Sequence, residues 1–235
     1  MGGRPLAIVD ALWCDGDEGA AQILAGMREA ARRYQVPVVG GHSNLRSAAG
    51  QLAVAILGRA RGLVTSFGAQ PGDVILVATD LNGRFRDPFP WWDASSGSED
   101  DHIAGLLPIL PELAELGLLT AAKDISMAGV VGTAIMLAEA SRVGMTIDLD
   151  RLPCPREHRL ERWLTAFPSF GFIMTARSKD VPRIIKRFAQ GSVACAQVGT
   201  VTESDVSIVH GGQSATVWDT SLPLIGCHTK EPVYA

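Results

Sequence analysis

Residues 121–133, AAKDISMAGVVGT, set an acid (Asp124), a hydroxyl (Ser126) and two glycines (Gly129 and Gly132) at the start of an apolar helical pattern. Val130, Val131, Ala134, Ile135 and Ala138 recur at helical spacing and predict a helix starting near Ala128. The N–H groups of a first helical turn lack partners within the helix and carry the positive end of its dipole, which favours a phosphate or carboxylate. Glycines there let a ligand or a second backbone approach closely. Asp124, just outside, suits Mg2+, which takes carboxylate and phosphate oxygens together. The spacing equally suits a plainer role, with Asp124 or Ser126 capping the helix.

Three further stretches carry candidate chemistry. VVGGHSN (38–44) predicts a short buried strand ending at Gly40–Gly41, whose backbone amides would face a phosphate while His42 and Ser43 add polar contacts. An ordinary tight turn with a solvated His42 fits the same residues. Asp10 sits inside the apolar run PLAIVDALWC, and a carboxylate in a buried strand needs a partner or a metal because desolvating it alone is costly. In RFRDPFPWWD (84–93), Arg84 and Arg86 are candidates for binding an anionic substrate, with Asp93 a further substrate-binding candidate. Trp91 and Trp92 would enclose that substrate or pack the loop down, with one expected buried and one available.

The elements that must position these residues follow from periodicity. PLAIVDALWC reads as a buried strand, and DGDEGAAQILAGMREAARRY as an amphipathic helix with acids at its start. VPVVGGHSN and QLAVAILGRA add two strands. Strand, helix, strand, strand with a right-handed crossover suggests half or more of a ferredoxin-like unit. Pro71–Gly72 marks a boundary, giving two expected domains, 1–70 and 71–235. Beyond it DVILVATDL is a strand, NGRFRDPFPWWDASSGSED a long loop, and DDHIAGLLPILPELAELGLL a helix interrupted near Pro108 and Pro111. Strands at 145–149, FGFIMTA, SVACAQVGTV, VSIVH and ATVWD alternate with helices at REHRLERWLTAF and KDVPRIIKRFAQ. The fold class is α+β in two layers.

Composition narrows the function classes. The 235 residues are 47% hydrophobic and 20% charged with a formal net charge of −4, so no nucleic-acid footprint is expected. No apolar run is long enough for a membrane span. Cys14, Cys154, Cys195 and Cys227 lie far apart with no paired motif, which argues against zinc or a disulfide scaffold and for a reducing, cytoplasmic setting.

Together GGRPLAIVDAL, VPVVGGHSN with LAVAILGRA, PGDVILVATDL and KDISMAGVVGTAIMLAEASRVGMTIDLDRLP resemble, in order and spacing, the aminoimidazole ribonucleotide (AIR) synthetase-related superfamily over nearly the whole chain. The resemblance implies a ferredoxin-like N-terminal domain that forms a β-barrel with a second copy in a homodimer, followed by an α+β C-terminal domain. It implies ATP and Mg2+ in a cleft near the dimer interface and domain junction. The chemistry implied is phosphotransfer to a small metabolite, or activation of its amide or carbonyl oxygen. By the same resemblance Asp124 matches a metal-binding and catalytic acid; Asp10, from its place in the apolar strand, is a second metal candidate. Gly40, Gly41, His42, Ser43, Ser126 and Gly129 fall on the nucleotide side, and Gly2 and Gly3 match a turn before the first barrel strand. Met1 falls in the middle of that turn motif, so an N-terminally incomplete first domain with exposed apolar edges is expected; Cys227, with eight residues after it, is expected to be only a tail cysteine. A non-catalytic dimeric nucleotide- or metabolite-binding protein is the alternative.

Overall fold

The computed structural model describes residues 1–226; Cys227 lies outside the described residues. The chain opens with β1 (Arg4–Asp15), α1 (Gly16–Tyr34), β2 (Val38–Asn44) and β3 (Arg46–Arg59), forming a three-stranded sheet in the order β2-β1-β3. β1 and β2 pair in parallel across the α1 crossover, and β3 returns antiparallel on the other side of β1. Asp17 and Glu18 in the first turn of α1, and Arg32 and Arg33 in its last, complement the helix dipole. Gln35 ends the helix in a left-handed conformation (φ 54°), its N–H reaching back to the last carbonyls. Leu12 and Cys14 of β1 pack with Ala20, Ile23 and Leu24 of α1.

Two expectations need correction here. β1 and β2 were expected to be buried, yet Leu6, Val9 and Val39 are exposed, as are Leu52, Val54, Ile56 and Leu57 of β3. An apolar run looks the same whether its sheet is covered on both faces or on one. Gly40 and Gly41 do not end β2 in a turn: they lie within the strand, opposite Val9 and Asp10.

The remainder holds β4 (Val74–Thr79), β5 (Arg84–Phe85), β6 (Trp91–Asp93), α2 (Asp100–Leu106), α3 (Ile109–Glu115), β7 (Ala121–Asp124), α4 (Gly129–Ser141) and β8 (Gly144–Asp148). It continues through α5 (Leu160–Leu164), β9 (Phe167–Pro168), β10 (Gly171–Ala176), α6 (Val181–Gln190), β11 (Ala194–Thr202), β12 (Val206–His210) and β13 (Gln213–Trp218). Seven strands form one mixed sheet in the order β13-β12-β8-β11-β4-β10-β7, and β5-β6-β9 form a small separate sheet. β4 is buried at every position, Ile75 and Val77 facing one core with α4 and α5 and Val74, Leu76 and Ala78 facing another with α2, α3 and α6. Burial on both faces turns the alternation of a half-covered strand into the continuous run VILVAT.

The loop expected at 82–100 is partly ordered as β5 and β6. The helix expected across REHRLERWLTAF is confined to α5, whose Trp163 indole N–H donates to Pro153 O at 2.7 Å.

Candidate site at one end of the large sheet

Pairing brings the ends of β4 and β7 to the same edge of the large sheet. Thr79 of β4 lies opposite Gly171 of β10, and Phe172 of β10 lies opposite Asp124 of β7. Both strand exits bind the start of β10: Asp80 N donates to Phe170 O at 3.1 Å and Ile125 N to Gly171 O at 3.0 Å. With β10 between them, the two exits stand two strand spacings apart, roughly 10 Å. The β4 exit leads to Arg84 and Arg86, and the β7 exit to Ser126 and α4.

Asp124 closes β7 with 63% of its side chain exposed, and its nearest cation is the Lys123 ammonium at 3.8 Å. It does not cap α4. The helix begins at Gly129 after Ala128, without a side-chain cap from Asp124 or Ser126. Ser126 instead uses its backbone, donating to Thr133 Oγ1 at 3.4 Å and accepting from Gly129 N at 2.8 Å. Gly129 serves the fold: its φ is +66°, and a Cβ there would stand 2.0 Å from Leu164 O. The close approach at this glycine is by the backbone of α5.

In the loop, Asp93 points inward. It is buried, Arg86 Nε donates to its Oδ2 at 2.7 Å, and its Oδ1 accepts from Ser95 N at 3.0 Å and Ser96 N at 2.9 Å. Burial alone would raise its pKa, but hydrogen bonds from Ser96, Arg86 and Ser95 outweigh it and hold the carboxyl well below the ordinary range. Asp93 therefore organises the loop and is not free to contact substrate, and Arg86 is half committed to it. Arg84 is exposed. Trp92 is fully buried, meeting Phe85, His158 and Trp163 edge-on, while Trp91 is partly exposed, as expected for the pair.

Gly40, Gly41, His42 and Ser43 lie exposed on β2 in the small first sheet. Among the described residues no hydrogen bond or ion pair is recorded between them and residues 121–133. Asp10 does meet one of them, since a Cβ at Gly41 would stand 2.2 Å from Asp10 Oδ1. The missing side chain gives that carboxylate its room. Asp10 and Asp124 are in different sheets, and among the described residues no group of three or more His, Cys, Asp or Glu is arranged to hold a metal. Mg2+ bound through one carboxylate, phosphate oxygens and water needs no such group, and exposed Asp124 fits that role. Burial pushes the Cys195 thiol up to about 12, which disfavours the nucleophilic thiolate.

Sequence reasoning passed over Asp80 and His102. Asp80 is fully buried directly after β4, and its carboxylate meets His102 Nε2 at 2.8 Å. The sequence signal was an acid at a strand exit in ATDLNG followed, twenty-two residues on, by a histidine on a helix. Nothing local joins the two.

The comparisons agree with this architecture. Residues 1–60 match the family model of the AIR synthase related protein N-terminal domain, and residues 91–212 that of the C-terminal domain. An uncharacterized Synechocystis protein is 42% identical over 229 residues, spanning 96% of this chain and 71% of its own length. The selenide, water dikinase of Myxococcus xanthus is 25% identical, over 84% of this chain and 58% of its own. Among solved structures, Thermotoga maritima PurL complexed with ATP superposes with a TM-score of 0.75 at 22% identity, covering 94% of this chain and 38% of that one. The hydrogenase maturation protein HypE in complex with ATP gives 0.73 at 16% identity, covering 97% and 76%. No helix among the described residues is long and apolar enough to cross a membrane. With both halves of the chain matched in order, and a relative 42% identical over 71% of its own length, the protein belongs to the AIR synthase related family.

Proposed function

We propose that the protein is an ATP- and Mg2+-dependent enzyme that transfers a phosphoryl group to a small metabolite or uses ATP to activate its amide or carbonyl oxygen. The observation that carries this reading is the shared end of the large sheet, where exposed Asp124 and the Arg84-bearing loop leave β7 and β4, two strands flanking β10, in a fold similar to ATP-complexed structures. Asp124 would hold Mg2+, and Arg84, with the exposed part of Arg86, would bind the anionic end of the substrate. Bound Mg2+ would neutralise charge on the phosphates during transfer, so that catalysis rests on positioning and electrostatics.

The chain divides functionally into 1–70 and 71–235. The exposed apolar side chains of the first sheet, with β2 and β3 as unpaired edges, support a homodimer in which a second copy covers them. The same association would bring Gly40, Gly41, His42 and Ser43 of one copy toward the site of the other. A second reading is a dimeric nucleotide- or metabolite-binding protein without turnover, which keeps the same fold and sheet end.

Calorimetric titration of ATP, with and without Mg2+, decides between these and a chain that binds no nucleotide. Mg2+-dependent binding with ADP release supports the enzyme, binding without release supports the second reading, and no binding by the dimer rejects both.

A further inference from the structure

We infer that His102 is the proton-accepting base of the sheet-edge site and that Asp80 positions it. The inference rests on the proposed ATP-dependent function and adds the residue that activates the acceptor. Asp80 is wholly buried at the exit of β4, its Oδ1 accepting from Asn82 N at 2.9 Å and Asn82 Nδ2 at 3.0 Å. Its main chain is fixed on both sides, Asp80 N donating to Phe170 O at 3.1 Å and Asp80 O accepting from the Trp92 indole at 3.0 Å. The carboxylate cannot swing away, and its remaining oxygen, Oδ2, lies 2.8 Å from His102 Nε2.

A carboxylate offers only lone pairs, so the hydrogen of a neutral His102 ring sits on Nε2 and the basic lone pair on Nδ1. Among the described residues no hydrogen bond is recorded at Nδ1, and a quarter of the side chain (25%) is exposed. A buried carboxylate behind an imidazole whose far nitrogen is open is the arrangement of an oriented general base. A histidine that merely tied α2 to β4 would gain nothing from that opening. The ring stands at the β4 exit, with the Asp124 exit two strands away, so a small acceptor between them would touch the base at one end and the phosphoryl donor at the other.

The acceptor is a small molecule bearing a weakly acidic O–H or N–H. Its hydrogen passes to Nδ1, the electron pair of the broken bond stays on oxygen or nitrogen, and that atom attacks the γ-phosphorus of ATP. The bond between that phosphorus and the bridging oxygen breaks, and ADP leaves with the electron pair.

The test uses 15N-histidine-labelled full chain, with His102→Gln and Asp80→Asn. Long-range 15N–1H spectra, taken at a pH where the ring is neutral, should place its hydrogen on Nε2, and Asp80→Asn should disturb that preference. Diethyl pyrocarbonate, followed by peptide mass analysis, should acylate His102 in the folded protein. His102→Gln should bind Mg-ATP as wild type does but release ADP at least about a hundredfold more slowly. A hydrogen on Nδ1, a ring that resists acylation, or undiminished ADP release by His102→Gln overturns the inference while leaving the ATP reading intact. A wild-type chain that neither binds nor cleaves Mg-ATP overturns that reading and this inference with it.

Discussion

Arg86 and Asp93 close the base of the 86–93 loop through a guanidinium–carboxylate pair, Nη2 to Oδ2 at 2.5 Å, in which the carboxylate is buried and the arginine is partly exposed. Arg86 N also donates to Trp91 O at 2.9 Å, so the loop is tied by both main chain and side chain. Because the Asp93 carboxyl is held below the ordinary range by its hydrogen bonds, the ionised form stabilises the fold above the unfolded-state pKa and loses that effect as pH falls through the folded one. Asp93→Asn should cost about 1–3 kcal/mol at pH 7. The gap from wild type should shrink by about 1.4 kcal/mol per pH unit once the pH drops below about 3.9. Urea denaturation of both proteins at pH 7 and pH 3 checks this; an equal gap at both would show that Asp93 is not the titrating group.

Gly129 and Gly26 should respond oppositely to alanine. Gly129 has φ +66° and meets Leu164 O, whereas a Cβ at Gly26, within α1, meets nothing within 4 Å. Gly129→Ala should destabilise by about 3 kcal/mol or more through backbone strain and displacement of α5. Gly26→Ala should stabilise by about 0.5–1 kcal/mol. Thermal melts of the two variants are sufficient, and a neutral Gly129→Ala would contradict the packing of α4 on α5.

Asp124 tests the proposed metal role with little structural interference, because its carboxylate is mostly exposed. Asp124→Ala should leave stability within about 0.5 kcal/mol of wild type while lowering Mg2+-dependent ATP affinity at least tenfold, about 1.4 kcal/mol. ATP binding in the absence of Mg2+ should change far less. Equal calorimetric affinities for the two proteins with Mg2+ would remove Asp124 from the metal site.

Leu57, 67% exposed on β3 opposite Ala7 of β1, belongs to the sheet surface proposed to meet a second copy. A charge buried in such an interface without a partner is costly. Leu57→Glu should therefore shift the protein from dimer to monomer in sedimentation velocity without lowering its helix content. A wild-type chain that sediments as a monomer at micromolar concentration would dispose of the homodimer.

Much of the architecture was legible in the residues. The strand within DVILVATDL, the start of α4 near Ala128, the interruption near Pro108 and the order of elements in the first sheet all follow from periodicity, proline and glycine, whereas the short strand β7 (Ala121–Asp124) was not expected. Burial in that sheet was not legible, because an apolar strand reads alike with one face covered or two. Nor were the glycine roles: Gly40 and Gly41 lie inside β2, and Gly129 accommodates Leu164, thirty-five residues further along the chain, in space created only by folding.

The sequence by itself determined the family and the longer elements in their order, because both reside in local spacing: apolar period, breakers, and motifs ordered along the chain; the short strands β5, β6, β7 and β9 were set by pairing. Tertiary structure alone decided which polar groups meet. Asp93 became a loop clasp because burial leaves it facing Arg86 and the Ser95 and Ser96 amides, whereas Asp124 stayed open at a strand end. Asp80 met His102 because β4 and α2 pack across twenty-two residues of chain. Hydrogen bonds depend on distance and desolvation, and neither is written along a chain until its elements have packed.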